Sequence, residues 1–152
     1  MPANGSCLPS TAPADRSAPR SRRADVPARE PPETIAVLVV DDHPGFRRAL
    51  ERALDRAPGL RLVGAASNGE EALRMSARLR PRVVVMDLAM PGMTGVDATR
   101  RLMAGREPPA VVALSGSREL MRDAVAAGAR GTLLKEADLT ELLATIRGVA
   151  GS

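Results

Sequence analysis

From Thr34 onward the chain alternates between two hydrophobic periods, and that alternation limits its fold more than any other feature. Apolar runs at residues 35–40, 60–65, 83–86, 110–114 and 131–134 are each followed by a stretch with helical spacing. Several runs are apolar without a polar alternate, as in strands covered on both faces of a parallel sheet. The helical stripes are clearest at Phe46, Ala49, Leu50, Ala53, Leu54 and Ala57, with Pro44 well placed at a helix start. They recur at Leu120, Met121, Ala124 and Val125 before a Gly128 stop, and at Leu139, Leu142, Leu143 and Ile146. Weaker stripes cover residues 70–79 and 96–104. Such a chain is predicted to form one doubly wound α/β domain over residues 34–150, with a five-stranded parallel sheet and helices on both faces.

Residues 1–33 differ in kind. They hold seven of the 13 prolines and only Leu8 and Val26 as large aliphatics. Such a segment cannot bury enough apolar surface to offset the ordering of its backbone, so it is expected to be a disordered Pro/Arg/Ser-rich tail. Its Cys7 is the chain's only cysteine, which excludes an internal disulfide framework and a Cys-rich metal site.

Composition removes further classes. Phe46 is the only aromatic residue, so base-stacking platforms and aromatic cages are excluded. The net charge of +4 is modest and no long basic run appears, so direct nucleic-acid binding is not expected. No apolar run approaches the ~18 residues of a membrane helix, and no signal-peptide pattern opens the chain. The expected compartment is the cytoplasm, with no membrane partner.

In open α/β sheets ligands sit beyond the carboxyl ends of the strands. Here those ends read Asp41-Asp42-His43, Ala65-Ala66-Ser67, Asp87, Ser115-Gly116 and Lys135. Taken singly, each has a plain explanation: Asp41 and Asp42 as helix caps, Asp87 as a turn acid, Ser115 as a cap, Lys135 as a solvated charge. His43 lacks a second His or Cys to share a metal with, so it is expected to stand beside the site without acting. Jointly the acids, hydroxyl and ammonium suit a hard, partly hydrated Mg²⁺ site with an aspartate nucleophile for phosphoryl transfer. Among 22 Lys and Arg residues, the one lysine is Lys135, where a compact point charge would be wanted.

The segments Val-Val-Asp-Asp-His (39–43), Met-Asp-Leu-Ala-Met-Pro-Gly-Met-Thr-Gly (86–95), Leu-Ser-Gly (114–116) and Gly-Ala-Arg-Gly-Thr-Leu-Leu-Lys (128–135) resemble the receiver domain of two-component response regulators. The phrases Asp-Asp-His-Pro and Gly-Thr-Leu-Leu-Lys-Glu-Ala look most like the NarL/FixJ branch. The resemblance implies the CheY-like, flavodoxin-like strand order 2-1-3-4-5. It implies Asp87 as phosphoacceptor, with Mg²⁺ held by Asp41, Asp42, Asp87 and the backbone carbonyl of Ala89. Ser115 and Lys135 occupy the places of the residues that bond and pair with the phosphoryl group. The implied partners are a sensor histidine kinase or phosphotransfer protein, an unknown downstream protein, and a second copy in a phosphorylation-dependent homodimer.

Two departures stand out. Three residues before the lysine, the family's usual Tyr or Phe is here Thr132. The residues after the last helical stripe leave no room for the DNA-binding helix-turn-helix of that branch, so a stand-alone receiver and a truncated regulator are both open. A haloacid-dehalogenase-type phosphohydrolase would need an acid two residues after Asp87, where the chain has Ala89. A binding module with a vestigial pocket is the remaining alternative. The expected activity is signalling by phosphoacceptance and slow autodephosphorylation, not turnover of a substrate.

Overall fold

A computed structural model describes residues 34–151; the expected tail at residues 1–33 and Cys7 lie outside them. Five strand-then-helix units follow in order: β1 (Ile35–Val40), α1 (Pro44–Arg56), β2 (Leu60–Ala66), α2 (Gly69–Leu79), β3 (Val83–Asp87), α3 (Gly95–Met103), β4 (Ala110–Ser115), α4 (Arg118–Ala126), β5 (Gly131–Leu134) and α5 (Leu139–Ala150). All pairings are parallel and the strand order is β2-β1-β3-β4-β5, as the resemblance implied. None of these helices is long and apolar enough to cross a membrane.

The sheet separates two cores because successive strand residues face opposite ways. Leu38, Val40, Val84, Met86, Val111 and Ala113 pack under α2, α3 and α4. Val37, Val39, Val83, Val85, Val112 and Leu114 pack under α1 and α5 against Leu50, Leu54, Leu142 and Ile146. The central strands β1, β3 and β4 are therefore buried on both faces, which is why their sequences are apolar without alternation.

Three strands run one residue further than the apolar runs suggested, ending at Ala66, Asp87 and Ser115. The acceptor candidate and the hydroxyl thus belong to the sheet itself, not to the loops beyond it. Two large stripe residues lie outside the core: Val125 is 55% exposed and Leu139 40%. Both sit on the flank formed by α4, β5 and α5, where edge strand β5 also leaves Leu134 exposed.

Local chemistry sets the helix starts. Asn68, Thr94, Ser117 and Asp138 each accept a backbone N–H of the first turn through the side chain, capping α2, α3, α4 and α5. Helix α1 instead begins with Pro44 after His43, with no side-chain cap. Asp41 and Asp42 are thus not helix caps, and Ser117 rather than Ser115 caps α4.

Candidate functional site

The chain winds outward from β1 to β2, then returns past β1 to β3, so the winding direction reverses between β1 and β3. Those strands deliver Asp41 and Asp87 to one rim, and both are buried. Asp41 is anchored by its backbone N–H to the Ala66 carbonyl (3.0 Å) and by the Arg47 guanidinium on its own carbonyl (2.7 Å). β4 brings buried Ser115, and the Lys135 N–H donates to the Ser115 carbonyl at 3.1 Å, which seats the lysine at the same rim.

The Lys135 ammonium lies between the two buried acids. Nζ is 3.0 Å from Asp41 Oδ2 and donates to Asp87 Oδ2 at 3.2 Å. Its contact with Asp41 Oδ2 is an ion pair, and Asp42 Oδ1 is buried with only the His43 ring nitrogen near it, at 3.2 Å, among the described residues. Asp41 Oδ1 accepts the His43 backbone N–H at 2.8 Å, and Asp87 Oδ1 accepts that of Ala89 at 3.2 Å. Ser115 Oγ accepts the Ser117 N–H at 2.9 Å.

Charge and burial perturb the titrating groups. Burial pushes the Asp87 carboxyl above the ordinary aspartate value and the Asp41 charge pushes it further, against the Ala89 N–H and Lys135. Burial works against the Lys135 ammonium, but Asp41 and then Asp87 outweigh it and hold its pKa above that of free lysine.

The residues fit a cation. Ligand atoms of Asp41, Asp42, His43 and Asp87 all lie within 4.8 Å of one another, with one ammonium to neutralise three carboxylates. Oxygen donors of this number and charge suit a hard divalent ion.

Two further residues border the acids and Lys135. His43 turns Nδ1 into the cluster although its side chain is 65% exposed. Phe46, counted above as part of a core stripe, places its ring 4.8 Å from Lys135 Nζ. The signal available for it was scarcity, since the chain's only ring meets its only lysine. Thr132 is half-buried and borders a cavity of about 400 Å³ with Met121, Leu133 and Leu134. A larger cavity, about 770 Å³, opens at the opposite rim among arginines and prolines, away from the acids.

A flavodoxin-like sheet with buried acids and a bridging lysine at its carboxyl rim defines an α/β domain with a candidate cation and phosphoryl site. The comparisons make the class specific. Residues 37–147 match the response regulator receiver domain, and the chain belongs to that family. It is 42% identical over 115 residues to the response regulator GacA of Pseudomonas viridiflava, covering 74% of this chain and 54% of GacA. It is 33% identical over 118 residues to the transcriptional regulatory protein LiaR of Bacillus subtilis, covering 76% of this chain and 56% of LiaR. The chain thus spans about half the length of the curated relatives it matches. Among solved structures, the signal receiver domain of NarL from Mycobacterium tuberculosis superposes with a TM-score of 0.76 at 32% identity, covering 80% of this chain and 99% of that one.

Proposed function

We propose that Asp87 is the phosphoacceptor of a receiver domain spanning residues 34–150, charged by the phosphohistidine of a cognate sensor histidine kinase or phosphotransfer protein in the cytoplasm. An Asp87 carboxylate oxygen attacks phosphorus, the P–N bond to the donor imidazole breaks, and an aspartyl phosphate results. Attack of water on that phosphorus returns the carboxylate and releases inorganic phosphate.

The observation that carries this reading is the Lys135 ammonium shared between Asp41 and Asp87 at 3.0 and 3.2 Å. It holds a positive charge where the phosphoryl oxygens would arrive. Ser115 is the hydroxyl that would donate to one of those oxygens. Asp41, Asp42, Asp87 and the Ala89 carbonyl would hold Mg²⁺, which when bound neutralises charge on the transferring group. The output is a changed protein-binding face formed by α4, β5 and α5, where Val125, Leu134 and Leu139 are exposed. Partners of that face are a downstream protein or a second copy of the chain. Thr132 is too small to act as a ring switch, so the signal passes through the loop between Ser115 and Arg118 and a shift of α4.

Acetyl phosphate with Mg²⁺ tests the assignment. The parent protein should gain one labile phosphoryl group, located on Asp87 by peptide mapping. Labelling that persists in Asp87→Asn would overturn it. Beryllofluoride titration followed by amide shifts tests the route: perturbations should concentrate at residues 87–92 and 115–125. Shifts as large across residues 131–134 and 139–146 would show full switching without a ring.

A further inference from the structure

His43 is the chain's only histidine, and its place is not that of a bystander. Nδ1 lies 3.2 Å from Asp41 Oδ1 and 3.2 Å from Asp42 Oδ1. Adjacent donors sit ~3.0 Å apart on an octahedral ion with ~2.1 Å bonds, and ~3.3 Å apart on a tetrahedral ion with ~2.0 Å bonds. Both edges already have that spacing. With its proton on Nδ1 the imidazole donates to Asp41 Oδ1; with the proton on Nε2 the Nδ1 lone pair faces both carboxylates, and a cation bound there removes that repulsion and selects the second tautomer. Asp41 is buried, and its Oδ2 is met only by the Lys135 ammonium at 3.0 Å among the described residues.

The nitrogen changes which ion the pocket prefers. Oxygen donors alone suit Mg²⁺, whereas imidazole suits Zn²⁺, Cu²⁺ and Ni²⁺. We infer that His43 is a metal ligand that makes this a mixed nitrogen–oxygen site, taking a Zn²⁺-type ion in competition with Mg²⁺ and blocking phosphorylation when so loaded. The inference rests on the reading of the pocket given above. Mg²⁺ keeps several waters and so leaves positions for phosphoryl oxygens. Zn²⁺ held by His43, Asp41, Asp42 and Asp87 would be four-coordinate once donors now up to 4.8 Å apart close around it, leaving no water position for a phosphoryl oxygen to take. Lys135 Nζ, 3.5 Å from the same nitrogen, is the cation such an ion must displace or share with, and its flexible stem permits that.

Calorimetric titration of Zn²⁺ and of Mg²⁺ into the full chain tests this, in a Cys7→Ser background that removes the competing thiol. The parent should bind Zn²⁺ more tightly than Mg²⁺. His43→Ala should weaken Zn²⁺ by roughly tenfold or more, at least the scale on which groups around a metal tune affinity, and Mg²⁺ by much less. Asp42→Asn should weaken both ions. With Cu²⁺ as the spectroscopic probe, nitrogen superhyperfine structure should appear in the parent and vanish in His43→Ala. The Zn²⁺ concentration that halves acetyl-phosphate labelling should rise by about the same factor as the affinity falls. Circular dichroism melts establish that the exposed-residue variant is folded. Equal Zn²⁺ affinity in parent and His43→Ala, or an unchanged Cu²⁺ spectrum, overturns nitrogen ligation and leaves the carboxylate site standing. Binding of both ions undiminished in Asp42→Asn overturns the reading of the pocket itself.

Discussion

At the carboxyl ends of the strands the helices begin, and the side chains gathered there are Asp41, Asp42, Asp87 and Ser115. At the opposite rim the helices end, and the side chains around the 770 Å³ cavity include Arg80, Arg82, Arg101, Arg106 and Arg130. The macrodipole accounts for part of both: helix N-termini carry partial positive charge that favours acids, and C-termini the reverse. The rims differ in how their charges are satisfied. Arg82 Nη2 donates to the Ala150 carbonyl at the end of α5 at 2.6 Å, and Arg147 to the Pro58 carbonyl at 2.9 Å. Asp41 and Asp87 by contrast share one ammonium between two buried carboxylates. Cavity size therefore does not single out the candidate site; buried carboxylates that share one ammonium do.

The largest expected effect would break the comparison outright if it failed. Asp87→Asn should abolish acetyl-phosphate labelling, while Arg106→Ala at the far rim should leave it within about twofold, because exposed charges contribute little. Comparable loss in both variants, read by intact-protein mass spectrometry, would mean that the far rim takes part in the reaction.

Glycine substitutions come next. A Cβ on Gly95 would lie 2.2 Å from the Asp87 carbonyl oxygen and 2.6 Å from Leu88 Cα, and backbone cannot yield cheaply. Gly95→Ala should cost about 2–4 kcal/mol in urea unfolding and impair labelling. At Gly105 near the other rim the nearest atom is 3.4 Å away, so Gly105→Ala should stay within about 1 kcal/mol of the parent. Equal costs would show that the acceptor rim is no more tightly built than its opposite.

The pH dependence sharpens the electrostatic contrast. The folded pKa of Asp87 is raised, so its ionisation opposes folding: the stabilising contribution is present below the unfolded value and lost as pH rises through the folded one. Metal-free Asp87→Asn should therefore gain on the order of 1 kcal/mol at neutral pH, a Tm rise of a few degrees. Lys135 is also raised, so its ion pairs stabilise below the ordinary lysine value of 10.5 and are lost as pH climbs through its higher folded value. Lys135→Met should flatten that alkaline fall in thermal melts. A parent-like fall would assign it to another group.

The smallest effect concerns Phe46. Its ring contributes ~0.5–1 kcal/mol to holding the ammonium, so Phe46→Leu should weaken beryllofluoride binding about two- to fivefold. Phe46→Tyr should restore it. If leucine binds as well as the ring, Phe46 serves only as packing.

Much of this was legible in the residues. Buried-on-both-faces strands read as continuous apolar runs, amphipathic helices read at three and four, and the punctuation between them placed Asp41, Asp42, Asp87, Ser115 and Lys135 at strand ends. Those are local properties, written in spacing and in the choice of apolar or polar side chain. What spacing could not supply is which way a loop side chain turns and what meets it from far along the chain. The meeting of the His43 ring with Lys135 and the seat of Lys135 over Phe46 are contacts spanning 92 and 89 positions. Stripe residue Val125 lies in the open because no element among the described residues covers that side of α4, a fact of layer arrangement and not of α4's own sequence. The five charged and polar groups were nameable one by one from the chain. Their sharing of a single lysine between two buried carboxylates exists only because a parallel sheet sets β1 beside β3, and low-dielectric packing makes that nearness count.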